Sequence, residues 1–344
     1  MFLEARLERA LRDRLERLPA GLRPRLPRDE RIVFIDNPRS GGGTYAAYAE
    51  WARQLYNFLG YDVRLLSTER PGHAAELAQR AAAEGATLIV VCSGDGGVRD
   101  SVAGLLALPE EKRPKLSVLP KGTANVLAKT FGLQVGPFPD FLHACFRQLY
   151  WARERPLDVG FLDDTAFACF AGFGFDADLI ENVPERDKRL LKEWAYVFSG
   201  LRTLFGWNPA ERRFRPYELP RMRVRGTDPE GRRLELYGYF VAVGNVRDYG
   251  SRLFPFMRNA RPDDGLLDVV VVDTRDLLEL LRIGQQVLAR THLRHPLVHS
   301  FQSREPLEVE SLEHPVPMHV DCELLARESR CTLRLVPSAL RILA

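Results

Sequence analysis

Between residues 29 and 152, short apolar runs alternate with stretches whose apolar positions recur at helical spacing. Residues 32–35, 63–66, 87–92 and 116–119 read as buried strands. Between them, Tyr48, Ala52, Leu55 and Leu59 form one helical stripe, an alanine-rich helix covers about 74–84, and Val98, Val102, Leu105 and Leu106 mark a third helix. Repeated strand–helix units predict an α/β domain with a mostly parallel sheet covered on both faces. After about 155 short strands dominate, expected at 157–162, 166–170, 221–224, 234–243, 267–272, 307–310 and 318–322. Helical spacing returns only near 187–205 and 276–292, so the second domain is expected to be a β-sandwich.

The first 28 residues stand apart. Phe2, Leu3, Leu7, Leu11 and Leu15 share a helical face among arginines, and Pro19, Pro24 and Pro27 end the pattern. Such a helix can lie on an anionic membrane or pack on the body or a second subunit, as in a homodimer. The chain carries 49 basic residues for a net charge of +3, and only six of them are lysines. Arginine suits phosphate contacts, although a GC-rich genome gives the same bias. The five cysteines form no CxxC pair, and no apolar run approaches the ~20 residues of a membrane span. A cytoplasmic protein with buried free thiols is expected, with no nucleic-acid partner.

The candidate chemistry lies where predicted strands end. Asn37-Pro38-Arg39-Ser40-Gly41-Gly42-Gly43, Ser93-Gly94-Asp95-Gly96-Gly97 and Pro120-Lys121-Gly122-Thr123-Ala124-Asn125 each follow a strand. In a parallel sheet ligands bind beyond the carboxyl ends of the strands. Glycines there let the backbone turn its N–H groups toward a phosphate, and the next helix adds the positive end of its dipole. Three such loops point to a nucleotide site. No G-x-x-x-x-G-K-[ST] loop is present, and a dinucleotide fingerprint counted from Gly94 fails at Arg99. Asp95, between two glycines, reads as a carboxylate acting on metal, water or ribose, or else as an Asx-turn former.

In order along the chain, these motifs resemble the catalytic domain of the diacylglycerol kinase family, which includes sphingosine, ceramide and bacterial lipid kinases. Gly94-Asp95-Gly96-Gly97 is similar to its G-D-G-T, and residues 120–125 to its P-x-G-T-x-N. Gly172-Phe173-Gly174-Phe175-Asp176-Ala177, Gly244-Asn245 and Pro262-Asp263-Asp264-Gly265 resemble segments of its second domain. The resemblance implies a phosphofructokinase- and NAD kinase-like fold, with ATP in the interdomain cleft and a membrane lipid as acceptor, reached by reversible contact with the inner membrane face. It implies domains at 29–152 and 153–326, with 327–344 returning to the first. ATP would meet Asn37, Ser40, Gly41, Gly42, Gly94, Gly96, Gly97, Gly122, Thr123 and Asn125, and Asp95 would take a catalytic part.

The resemblance also implies a Mg²⁺ clasp from the Asp264 carboxylate and the carbonyls of Arg261 and Leu266, against a plain turn capped by Asp263. It places the catalytic base at Glu323, in Asp321-Cys322-Glu323. Strand alternation would set His319, Asp321 and Glu323 on one face. Three positions depart from the family pattern: Gly97 replaces threonine, Arg99-Asp100 replaces an N-E pair, and Val126 replaces a frequent aspartate. A lipid-binding or regulatory homologue without turnover is the competing expectation.

Overall fold

The computed structural model describes residues 9, 16, 23–43, 45, 47–133, 138–182, 207–208, 213–214, 219–249 and 254–344. Apart from 9, 16 and 23–28, the helix expected over 1–28 lies outside these residues, as does the stretch 187–205. The chain divides into two units, Met1–Arg155 with Leu340–Ala344, and Pro156–Ala339.

In the first unit, strands β1 (Ile32–Asp36), β2 (Val63–Ser67), β3 (Leu88–Cys92) and β4 (Lys115–Val118) pair in parallel in the order β2-β1-β3-β4. The last residues of the chain add a parallel neighbour, with Ile342 opposite Leu116. Both faces of β1 and β3 are buried, which is why each reads as an unbroken apolar run. On one face, helix α1 (Tyr48–Phe58) packs Ala52, Leu55 and Tyr56 against Phe34 and Val90. Helices α2 (His73–Ala83) and α3 (Asp95–Leu106) lie against each other, and Gly104 is required there: a Cβ would collide with the backbone of Ala75.

Two further helices, α4 (Val126–Thr130) and α5 (Phe138–Tyr150), escape the sequence pattern. The first is a single turn, too short to show a period. The second lies under the core: Phe141, Phe146 and Leu149 are buried, and its Gln148 bonds Tyr56, Ser117 and the Val118 carbonyl at 2.8–3.0 Å. Ser117 in turn donates to the Leu343 carbonyl at 2.7 Å, fixing the returning end of the chain.

The second unit is a β-sandwich. One sheet holds β5 (Glu154–Leu162) with β6 (Thr165–Phe167), then β10 (Met222–Thr227), β11 (Arg233–Gly238), β15 (Leu307–Ser311) and the first part of β18 (Arg330–Leu343). The other runs β14 (Val298–Ser303), β13 (Leu267–Val272), β12 (Phe240–Gly244), β7 (Phe170–Phe173), β16 (Val316–Val320) and β17 (Glu323–Glu328). A two-stranded ribbon joins β8 (Trp207–Asn208) and β9 (Arg213–Phe214). Phe167, Phe173, Met222, Val243, Val269 and Leu333 fill the layer between the sheets. Helices α6 (Phe175–Asn182) and α7 (Leu277–Leu288) complete the unit, the latter capped by Asp276 on the Glu279 N–H at 3.0 Å.

Two expected strands are each two strands in different sheets. The run 234–243 breaks at Gly238-Tyr239, where a Cβ on Gly238 would lie 2.8 Å from the Val272 carbonyl and the chain crosses to the other layer. The run 166–170 breaks likewise between β6 and β7. Residues 330–339 belong to the second unit, so only the last five residues join the first rather than the whole of 327–344.

Candidate functional site

The three glycine loops of the first unit converge into one knot. Lys121 donates its N–H to the Ser93 carbonyl at 2.8 Å, and Asn37 donates to the Cys92 carbonyl at 3.0 Å. Gly94 and Gly122 touch backbone to backbone: a Cβ on Gly122 would lie 2.5 Å from the Gly94 Cα. Gly41, at φ +63°, would drive a Cβ into the Lys121 carbonyl. Asn125 occupies the left-handed region at φ +49° and folds its loop by bonding both the N–H and the carbonyl of Gly122, at 2.9 and 2.7 Å. Ser40, Gly41 and Gly42 form a 3₁₀ turn, braced by the Asn37 side chain accepting from the Arg39 N–H, and Thr123 stands exposed at its loop tip.

Asp95 proves to be a tie between loops. Its two carboxylate oxygens accept the N–H groups of Asn125 at 2.7 Å and Val126 at 2.6 Å, at the start of α4. Burial raises its pKa despite those bonds. The carboxylate expected to act on metal, water or ribose thus gives one acceptor site of each oxygen to holding the two loops together.

A second tie was not legible in the sequence. Lys121, 1% exposed, donates to Asp36, 4% exposed, at 2.5 Å, and to the Asn37 carbonyl at 3.3 Å. It locks the end of β1 to the loop after β4. Burial raises the pKa of Asp36, and Lys121 pulls the other way.

Beside the knot, at the carboxyl ends of β1, β2 and β3, lies a cavity of about 300 Å³. Of the residues expected to meet ATP, Asn37, Gly96 and Gly97 line it, and Ser40, Gly41, Gly42, Gly94, Gly122, Thr123 and Asn125 do not. Ser93 and Asp100 line it as well, together with the segment Thr68–Arg70, a fourth strand end that carries no glycine and that sequence reasoning missed. With N–H-rich glycine loops, a helix N-terminus and Arg39 around it, the cavity fits a phosphorylated nucleotide.

In the second unit, strand β16 ends at Val320, and Asp321 and Cys322 make a two-residue hairpin turn at φ +48° and +65°. This overturns the expected shared face of His319, Asp321 and Glu323. The Asp321 carboxylate turns inward and accepts the N–H groups of Ala168, Cys169 and Phe170 at 2.8–3.0 Å. Glu323 begins β17 opposite Val320 and is exposed. His319 is buried and donates from Nε2 to Asp176, which also binds the Tyr249 hydroxyl; Gly172 leaves room for all three.

At the Asp263-Asp264-Gly265 turn, Asp264 accepts the Leu266 N–H at 3.1 Å and Arg261 pairs with Asp263 at 3.4 Å. Asp158 holds the turn by accepting from Gly265 at 2.7 Å and Ser338 at 2.6 Å. Burial first, and the Asp158 charge after it, raise the pKa of Asp264; burial with Asp264 nearby pushes Asp268 up to about 7. An all-oxygen set with surplus negative charge suits a hard cation. Among the described residues, no three His, Cys, Asp or Glu side chains converge to hold one, so carbonyls such as those of Arg261 and Leu266 would have to take part.

The sequence profile of the diacylglycerol kinase catalytic domain matches residues 31–162, and that of the YegS C-terminal NAD kinase beta sandwich-like domain matches 170–344. A protein of Chromohalobacter salexigens named "probable lipid kinase YegS-like" is 31% identical over 286 residues, 83% of this chain and 85% of its own length. The diacylglycerol kinase of Bacillus subtilis strain 168 is 27% identical over 264 residues, 77% of this chain and 80% of its own. The crystal structure of a diacylglycerol kinase from Bacillus anthracis Sterne superimposes with a TM-score of 0.66 at 22% identity, covering 91% of this chain and 96% of that one. The chain belongs to the diacylglycerol kinase family of lipid kinases, and as a kinase of that family it uses ATP. Its sandwich half is that of the YegS C-terminal domain. No described helix is long and apolar enough to cross a membrane.

Proposed function

We propose that this protein transfers the terminal phosphoryl group of ATP to a hydroxyl of diacylglycerol or a related sphingoid or phosphatidylglycerol lipid. The observation that carries this reading is the knot of three glycine loops at the strand ends of a chain of this family. In it, Gly94, Gly96, Gly97, Gly122 and Gly41 present backbone to the phosphates, with Asn37, Ser40, Gly42, Thr123 and Asn125 around them. Asp95 acts as the positioning residue that keeps two of the loops together. Mg²⁺ supplies charge neutralisation on the phosphates when bound. A second, structural Mg²⁺ fits the Asp264 turn, held by its carboxylate and the carbonyls of Arg261 and Leu266. Glu323, exposed at the start of the strand after the hairpin turn, accepts the proton of the lipid hydroxyl.

The test offers labelled ATP with diacylglycerol, sphingosine, phosphatidylglycerol and NAD in turn, with and without Mg²⁺. Phosphorylated lipid is expected. Glu323→Gln should lower turnover by ~10²–10⁴-fold with ATP affinity and thermal stability near wild type. Transfer to NAD alone would replace the lipid reading, and ATP binding without transfer to any acceptor would favour the regulatory homologue. The lipid sits in a bilayer, so the protein must dock reversibly, and the arginine-rich 1–28 segment is proposed to do so. Binding to anionic vesicles should weaken as salt rises and fall when 1–28 is deleted; undiminished binding by the truncated protein would move the contact elsewhere.

A further inference from the structure

Gly97 departs from the threonine of the family's G-D-G-T, and the structure shows what stands in its place. A Cβ built on Gly97 collides with the Ser93 hydroxyl and lies 2.7 Å from the Ser93 Cβ. The two positions therefore compete for one volume, and Ser93 fills it. Ser93 is 3% exposed, its Oγ finds no hydrogen-bond partner, and it lines the cavity together with Gly96 and Gly97. A buried hydroxyl without a partner is costly unless a ligand satisfies it. The ligand side is also marked: Gly96 faces open space, and α3, a twelve-residue helix, starts here on Gly94, an N-cap that has no side chain to cap it.

We infer that Ser93 is a nucleotide-binding residue, donating its hydroxyl to a phosphoryl oxygen in place of the hydroxyl lost at Gly97. This rests on reading the loops as an ATP site. It makes the departure at position 97 a transfer of the hydroxyl to the residue that fills the same volume, and it makes 93 and 97 a coupled pair. Gly97→Thr alone should bind ATP poorly, because its side chain has nowhere to go while Ser93 stays.

The experiment measures the affinities of ATP with Mg²⁺ and of adenosine by calorimetry for wild type, Ser93→Ala, Ser93→Gly, Gly97→Thr and the double variant Ser93→Gly with Gly97→Thr. Melting temperatures are recorded without ligand. Ser93→Ala should weaken ATP by about ten- to a hundredfold, the loss of one hydrogen bond to a charged group. Adenosine, which has no phosphate, should bind both proteins alike. The ligand-free Ser93→Ala protein should melt at or above the wild-type temperature, since it loses an unsatisfied buried hydroxyl; a structural role would lower it. The double variant should recover ATP affinity to within about threefold of wild type, while Ser93→Gly alone does not. Unchanged ATP affinity in Ser93→Ala overturns the inference and leaves the nucleotide reading standing. So does an adenosine loss that tracks the ATP loss, or a double variant no better than Ser93→Gly. A wild-type protein that binds no ATP overturns both.

Discussion

The buried Asp36–Lys121 pair offers the sharpest test of how the loops are held. Neither side chain reaches solvent, and the charged atoms stand 2.5 Å apart. At an effective dielectric of ~20 the attraction at that distance is about 6–7 kcal/mol, and desolvation cancels most of it at several kcal/mol per ion. The pair as a whole is therefore close to neutral for stability, yet removing one partner is not. Lys121→Met leaves the Asp36 carboxyl buried without its cation, and the expected cost is about 3–5 kcal/mol near neutral pH. Asp36 already has a raised pKa from burial, and without Lys121 it rises further. A carboxyl whose folded pKa lies above its unfolded one favours folding below the unfolded value and loses that advantage as pH climbs through the folded value. The variant should accordingly be least stable at high pH and recover toward pH 5. Urea unfolding followed by circular dichroism should show a midpoint lowered by about 1–2 M at pH 7.5 and by less at pH 5. Adding Asp36→Leu should bring stability back to within about 1 kcal/mol of wild type, since a matched apolar pair leaves no orphaned charge. ATP affinity should follow the same course, because Gly41 packs on the Lys121 carbonyl. A Lys121→Met protein as stable as wild type, or a double variant no better than the single one, would refute the reasoning.

Substitutions at two further positions probe the second unit. Cys322 sits at φ +65°, where a β-carbon costs roughly 1–2 kcal/mol, so Cys322→Gly should raise the melting temperature by about 2–4 °C, while Cys322→Val lowers it. His292 is fully buried, stacks on Phe256 at 5.3 Å, donates from Nε2 to the Phe256 carbonyl at 2.8 Å and leaves Nδ1 without a partner. Burial lowers its pKa from 6.5, so its contribution is intact above the unfolded pKa and is lost as pH falls through the lower folded one. His292→Phe should remove that part of the stability–pH slope below about 6.5 and lower the neutral plateau by about 1 kcal/mol; an unchanged slope would mean that another group titrates.

The parallel sheet was legible because its strands are buried on both faces and read as unbroken apolar runs between glycine loops. The sandwich was legible as a class, but its strand boundaries were not. Apolar residues continue across Gly238-Tyr239 and across 166–170, and nothing in the local pattern says that the chain changes sheets there. The loops were found by their glycines, whereas the side chains that hold them were misread. Asp95 looks like a ligand-facing carboxylate in the sequence, and only the approach of Asn125 and Val126 turns it into a tie. Nothing near Lys121 in the sequence announces its pairing with Asp36, 85 residues earlier in the chain. Long-range polar pairing of this kind leaves no period to detect. The Asp321-Cys322 turn was hidden for a related reason: left-handed hairpin turns are usually marked by glycine or asparagine, and here a cysteine takes that place.

The departures from the family pattern weigh differently once the knot is seen. What position 126 supplies to the tie is its backbone N–H, which any residue but proline provides; the Val126 side chain is buried and packs without polar work. Replacing the frequent aspartate therefore leaves the loops in place and removes only a carboxylate. In the same unit, the carboxylates still on the cavity wall are Glu69 and Asp100, and Asp100 is paired with Arg99 at 2.6 Å. Position 97 likewise loses a side chain whose volume Ser93 already occupies. Both changes spare the architecture of the glycine loops; the one at 126 removes a negative charge beside them, and the one at 97 removes a neutral hydroxyl. Metal dependence is thus the property in which this chain should differ most from relatives that keep the aspartate, and the comparison of turnover with and without Mg²⁺ reads it directly.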